Sequence, residues 1–252
     1  MAAGMAKAGL IPVFAVYSSF LQRSFDMLIH DVSLQKLHVV FCVDRAGLVG
    51  SDGETHQGLF DISYLGMVPG MTVLCPANFS ELREMLGYAL HSISGPVAVR
   101  YPRGGEGQYL DCSVSAESVV REGEDITIIC YGTMVNEALA AADKLSGLGI
   151  SAEIVKLGIL FPNDYPLTRT SLRKTGRLLV AEEVCAAGCI GRRILAACAE
   201  QQLSLKNAKL LNLGDGIIPH GTVSELRHDY GIDAQAITLT AAELCGHNAG
   251  EL

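Results

Sequence analysis

Apolar and polar positions alternate along this chain in two rhythms. Short continuous apolar runs occupy residues 12–16, 39–43, 71–75 and 96–100. Between them apolar side chains recur at three- and four-residue spacing, as at Leu21, Phe25, Leu28, Ile29 and Val32. Runs of that length closed by glycine, proline or polar clusters are buried strands, and the wider spacing marks one face of a helix. The pattern predicts a helix from a Ser18 or Ser19 cap to Lys36, a short one over 61–66, and another over 80–91 capped near Asn78. Residues 1–9 are good helix material ending at Gly9, but no capping residue precedes them, and they read as the tail of a helix that begins elsewhere. A polar, acidic, glycine-containing stretch fills 104–125. Beyond it the alternation resumes, with strands over 126–131, 152–157, 178–181 and 209–213 and helices over 134–145, 165–172, 190–201, 224–230 and 234–244. Repeated strand–helix units of this length predict mostly parallel sheets covered on both faces. The expected fold class is α/β: two consecutive three-layer domains, residues 1–110 and 125–252, joined by a linker at 111–124.

The pattern breaks most sharply after Val43. Residues 44–58 hold four glycines together with Asp44, Arg45, Asp52, Glu54 and His56, and the amphipathic rhythm resumes only after Gly58. A strand that delivers such a loop places it at the C-terminal edge of a sheet, where open α/β folds bind ligands. Glycines permit sharp turns and close approach, so Arg45, Asp52 and His56 are expected to converge there. Tyr17 and Phe20, at the junction of the first strand and its helix, belong to the same edge. Arg103, ahead of two glycines, is placed to reach an anion with the fork of its guanidinium, whereas Arg100 reads as a strand-end or packing arginine. Glu182 and Glu183 follow a strand and read equally as functional groups or as a solvated strand end. Gly132 and Thr133 read as a plain helix cap or, less simply, an anion site. A serine nucleophile from Ser18 or Ser19 with His56 is a further arrangement that chain order leaves open.

Composition narrows the functional classes. Nineteen basic residues against 27 acidic ones argue against a nucleic acid or an anionic membrane as the main partner. Eight scattered cysteines, three of them in or beside apolar runs, fit a reduced compartment rather than a disulfide framework, and no metal role is assigned to them. No signal region or uninterrupted 18-residue apolar span occurs, so a cytoplasmic, soluble protein is expected. Nucleophile-elbow, phosphate-loop and zinc-helix motifs are missing, and the residues alone imply only a phosphate-bearing metabolite meeting an Arg/Asp/His cluster.

Four segments carry a resemblance: Tyr17-Ser-Ser-Phe20-Leu-Gln-Arg23, Asp44-Arg45-Ala-Gly-Leu-Val-Gly-Ser-Asp52-Gly-Glu-Thr-His56-Gln-Gly, Arg100-Tyr-Pro-Arg103-Gly, and Ile218-Pro-His-Gly221. Together they are similar to the 1-deoxy-D-xylulose-5-phosphate synthase family of thiamine-diphosphate enzymes, which are related to transketolases. The similarity covers essentially all 252 residues but resembles only the pyrimidine-binding and C-terminal domains of that family. The resemblance implies condensation of pyruvate with D-glyceraldehyde 3-phosphate with loss of carbon dioxide. The cofactor is thiamine diphosphate, with Mg2+ held through an N-terminal domain that the resemblance does not include. A family glutamate that touches the aminopyrimidine ring is also expected to lie ahead of Met1, so a split or truncated synthase, or one whose start is assigned too late, is the expectation, inactive as this chain alone. Residue by residue, Asp52 and His56 resemble groups lining the reaction centre, and Phe20 the aromatic that stacks on the pyrimidine, with Arg23 supporting it. Tyr17 resembles a substrate-pocket tyrosine, and Arg45 and Arg103 the pair that holds the substrate phosphate. Association as a homodimer, or with a chain carrying the diphosphate-binding domain, is implied as well. The alternatives are a β-subunit-like half of a 2-oxoacid dehydrogenase or transketolase, and a non-catalytic α/β assembly module.

Overall fold

A computed structural model describes residues 1–247. After a short helix α1 (Ala2–Lys7), the first domain is built on strands β1 (Val13–Tyr17), β2 (Val40–Asp44), β3 (Thr72–Leu74) and β4 (Val97–Arg100). These lie in the order β1-β2-β4-β3, all parallel. β2 and β4 are buried almost throughout, as their Val- and Ala-rich sequences require of strands covered on both faces. The connection after β1 is not one regular helix. It is α2 (Ser18–Leu21), a 3-10 turn (Gln22–Ser24), α3 (Phe25–Met27) and a π-helical turn (Leu28–Ser33). The apolar spacing there survives, with Leu21, Leu28 and Val32 buried, but neither Ser18 nor Ser19 caps it. α4 (Asp61–Leu65) and α5 (Phe79–His91) follow β2 and β3. Asn78 caps α5 by accepting from Glu81 N at 2.8 Å.

The second domain's sheet is built on β5 (Glu117–Arg121), β6 (Ile126–Tyr131), β7 (Ala152–Leu157), β9 (Arg177–Ala181) and β10 (Asn207–Leu211). Its order is β10-β9-β6-β7-β5, parallel except at β5. Helices α6 (Met134–Gly147), α7 (Pro166–Thr175), α8 (Ile190–Glu200), α9 (Val223–Asp229) and α10 (Ala234–Leu244) cover it. Two strands depart from the expected plan. β5 lies inside the stretch read as a linker and pairs antiparallel with β7, and β8 (Ile159–Phe161) leaves the second domain's run to pair antiparallel with β3 of the first. The core is correspondingly continuous: one buried apolar cluster includes Val73, Cys75 and Ala98 from the first sheet and Ile129, Tyr131 and Val155 from the second. Among the described residues no helix is long and apolar enough to cross a membrane.

Candidate functional site

The parallel register fixes where the site forms. Tyr17 lies opposite Asp44, and Val43 opposite Arg100, so the chain leaves β1, β2 and β4 at one edge of the sheet. Just beyond that edge Ala46 N donates to Tyr101 O at 3.0 Å, which sets the loop after β2 against the segment carrying Arg103.

Arg45 is the hub. Its backbone has φ of +59°, in the left-handed region that a non-glycine residue adopts at a cost of roughly 1–3 kcal/mol, and Asp44 holds it there. Asp44 Oδ1 accepts from Arg45 N at 2.7 Å, and its Oδ2 meets Arg45 Nη1 at 2.7 Å. On the other side Arg45 Nε donates to Asp52 Oδ2 at 2.9 Å, and the guanidinium carbon lies 3.8 Å from the centre of the Tyr17 ring. Partial burial opposes the guanidinium's charge, but the hydrogen bond to Asp52 and the charge of Asp44 outweigh it and raise the pKa. Arg103 approaches the same Asp52 oxygen at 3.4 Å and donates to Ser51 Oγ at 2.5 Å. Asp52 thus bridges the two arginines. Among the described residues the Nη2 group of neither arginine has a hydrogen-bond partner, so each keeps a donor for an anion.

An aromatic group adjoins this cluster. Tyr17 and Phe20 stack with centroids 5.5 Å apart and planes at 24°, and the His56 ring meets Phe20 edge-on at 5.1 Å. Arg23 covers Phe20 at 5.6 Å, yet Phe20 stays 39% exposed. His56 Nδ1 pairs with Thr55 Oγ1 at 2.9 Å, which leaves Nε2 for other chemistry. The seven residues singled out in the sequence therefore form one line of contacts: Arg23, Phe20, His56 and Tyr17, Arg45, Asp52, Arg103. A cleft of about 330 Å³ opens on the arginine side, walled by Asp44, Arg45, residues 76–79, residues 101–106 and Thr133. Burial, then the neighbouring Cys42 and Asp44, push the Tyr101 phenol up to about 12, so it remains a neutral hydroxyl. Phe20 and His56 lie outside that cleft, across Arg45 from it.

Other expectations resolve differently. Among the described residues the buried Ser18 and Ser19 hydroxyls have no hydrogen-bond partner, so neither pairs with His56. Thr133 accepts from Arg227 Nη2 at 3.3 Å instead of capping α6. Glu182 and Glu183 are not solvated. Glu182 is fully buried, accepts from Tyr131 Oη at 2.8 Å and from the first amides of α8, and burial raises its pKa. Glu183 pairs with Arg227. Arg100 is a packing arginine, forked onto buried Asp61 at 3.0 and 3.3 Å. The sequence reading passed over Asp44, whose only signal was its adjacency to Arg45, and Gln57, which carries no charge to attract notice.

The exposed Phe20 face fits one ring of an aromatic heterocycle. Nothing comparable fits a metal: among the described residues no group of three His, Cys, Asp or Glu side chains is placed to hold an ion.

Comparison with known proteins matches residues 1–106 to the transketolase pyrimidine-binding domain and residues 116–237 to the transketolase C-terminal domain. The 1-deoxy-D-xylulose-5-phosphate synthase of Carboxydothermus hydrogenoformans is 44% identical over 97% of this chain and 40% of its own length. That of Heliobacterium modesticaldum is 42% identical over 97% and 38%. The chain thus spans about two fifths of the length of these curated relatives. Among solved structures, one titled a split gene transketolase, inactive beta4 tetramer, superposes with a TM-score of 0.87 at 28% identity, covering 97% of this chain and 79% of its own. A transketolase from Pichia stipitis shares the fold at 17% identity, with a TM-score of 0.75 over 92% of this chain and 34% of its own.

Proposed function

This chain belongs to the 1-deoxy-D-xylulose-5-phosphate synthase family, corresponding to its pyrimidine-binding and C-terminal domains, and from that premise we propose that it forms the acceptor-binding half of a thiamine-diphosphate-dependent transferase. The reaction is condensation of pyruvate with D-glyceraldehyde 3-phosphate and release of carbon dioxide. The observation that carries this reading is the unbroken line of side chains from Arg23 to Arg103, apolar and ring-binding at one end and anion-binding at the other.

Phe20, backed by Arg23, offers its exposed face to the aminopyrimidine ring. When bound, thiamine diphosphate supplies the electron sink for decarboxylation and carbon–carbon bond formation. The free Nη2 donors of Arg45 and Arg103 take the acceptor's phosphate, with Asp52 holding the two guanidiniums side by side and Asp44 aiming that of Arg45. Tyr17 packs beneath Arg45 and walls the acceptor between the two ends. His56 Nε2 moves a proton at the acceptor's aldehyde oxygen, with Thr55 fixing the ring through Nδ1. Magnesium and the diphosphate are assigned to a different domain, and the protein to the cytoplasm. The exposed apolar face around β1 is assigned to a second copy of this chain, giving a homodimer.

The acceptor assignment is tested in the complete, active enzyme. Arg45→Ala or Arg103→Ala should weaken use of D-glyceraldehyde 3-phosphate by about 2–4 kcal/mol in kcat/KM, roughly 30- to 1000-fold, with a much smaller loss for unphosphorylated glyceraldehyde. An unchanged preference for the phosphorylated aldehyde in both variants would remove these arginines from the acceptor site.

A further inference from the structure

The loop that carries Asp52 and His56 is closed at its neck and held from outside its own domain. Gly47 N donates to Gly58 O and Gly58 N to Gly47 O, both at 2.8 Å, so residues 48–57 bulge from a two-residue bridge. Inside the bulge the backbone bonds to itself sparsely, through Gly53 N to Gly50 O and His56 N to Gly53 O, each at 3.0 Å. Gln57 sits at the end of this segment, 5% exposed, next to His56. Its Oε1 accepts from Val49 N at 3.0 Å, across the loop, and its Nε2 donates to Pro219 O at 3.2 Å, in the second domain. The segment around Pro219 is itself anchored, because Ile218 is buried in the second domain's core. It also forms the floor beneath the loop: Gly50 faces Gly221 and Val223, and Gly53 faces His220.

We propose that Gln57 is a positioning residue through which the second domain holds the Asp52–His56 loop in its working shape. The amide suits the task because one end accepts and the other donates, so it satisfies the buried Val49 N–H and grips the Pro219 carbonyl at the same time. The consequence reaches the site through Asp52. That carboxylate sets the spacing of Arg45 and Arg103, so a loop released from residue 219 loses the geometry of both arginines without any change in either. This rests on the acceptor site proposed above, and it gives the 218–221 segment, which among the described residues makes no side-chain hydrogen bond or ion pair with the seven site residues, a role in the reaction.

Hydrogen exchange separates the brace from the acceptor assignment. In Gln57→Leu the amides of residues 49–56 should exchange at least tenfold faster, while those of β2 and β4 stay as they are. Ile218→Ala, which loosens the anchor from the far side, should speed the same amides, and Gln57→Leu combined with Ile218→Ala should add little beyond Gln57→Leu alone, because one connection is being cut twice. Unchanged exchange in Gln57→Leu, acceleration shared by β2 and β4, or additive effects in the double variant would each overturn the brace. In the complete enzyme Gln57→Leu should raise the KM for D-glyceraldehyde 3-phosphate more than it lowers kcat. Loosening with no change in that KM would uphold the brace and count against Arg45 and Arg103 as the acceptor's ligands.

Discussion

Gly58 has no room for a side chain. A Cβ there would lie 2.0 Å from Arg45 O and 2.9 Å from Ser18 Oγ. Gly47, its partner across the bridge, has φ of +81° and would press a Cβ to 2.5 Å from a Glu183 oxygen. Alanine at either position must move backbone or a carboxylate already paired to Arg227, and each is expected to cost about 1–3 kcal/mol. Gly105→Ala, with nothing within 4 Å, is the matched control and should leave stability unchanged. Urea midpoints at constant m-value check this, and equal stability of all three variants would show that the neck is not rigid. At this scale the sequence disclosed which side chains gather at the loop but not how they balance. Arg45, Asp52, His56 and Arg103 were legible because charged residues among glycines after an apolar strand are conspicuous. That one carboxylate spans both arginines depends on the fold of the loop, and the burial of Glu182 depends on a helix N-terminus that arrives from eight residues further on.

Element by element, the strands with continuous apolar sequence were the easiest to read, and 126–131 and 152–157 fall where the pattern put them. β5 and β8 were hidden for a physical reason. β5 reads Glu-Ser-Val-Val-Arg, half polar because it is an edge strand, and β8 has three residues and exists only by pairing with a strand of the other domain. Caps were legible only in part: Ser18, Ser19 and Thr133 make no cap bond, while Thr222 and Asp233 do without having been expected to. Asn78 was identified correctly, but its worth comes from distant groups: besides receiving Glu81 N, its amide donates to Tyr109 O at 3.1 Å and Asp111 O at 2.8 Å. Thr222 makes a complete capping box with Glu225 at α9, all of it exposed. Asn78→Ala should therefore destabilise by about 2 kcal/mol or more, since it strips a donor from two carbonyls of the 109–111 segment as well as a cap from the helix, whereas Thr222→Ala should cost about 1 kcal/mol or less. Thermal or urea unfolding of the two variants side by side decides this, and equal losses would mean that the bonds to residues 109 and 111 contribute nothing.

Across the whole molecule the two domains behave as one body in their packing. Lys156 of β7 and Glu81 of α5 form an ion pair at 2.6 Å, almost wholly buried, and Glu81 also receives Ala77 N at 2.8 Å, so a charge from each domain is satisfied only while the two stay docked. With β8 in the first sheet and a shared apolar cluster behind it, the second domain is a fixed support for the site edge. The opposite side of the first domain is different. β1 is an edge strand whose Val13 and Phe14 are 50% and 42% exposed, and Met5, Ile11 and Met27 add further apolar surface around a hollow of about 280 Å³. An open parallel edge with a contiguous apolar face is a surface that a lone chain does not leave in water. A second copy of the chain seated there would bury it and lies across the sheet from the second domain, so the cleft beside Arg103 is left free. The expected outcome is a dimer by sedimentation at micromolar concentration, converted to monomer by Val13→Lys combined with Met27→Glu. Both side chains are exposed, so these changes should leave the fold intact by circular dichroism. A wild-type monomer, or a dimer that survives both charges, would place the contact elsewhere on the molecule.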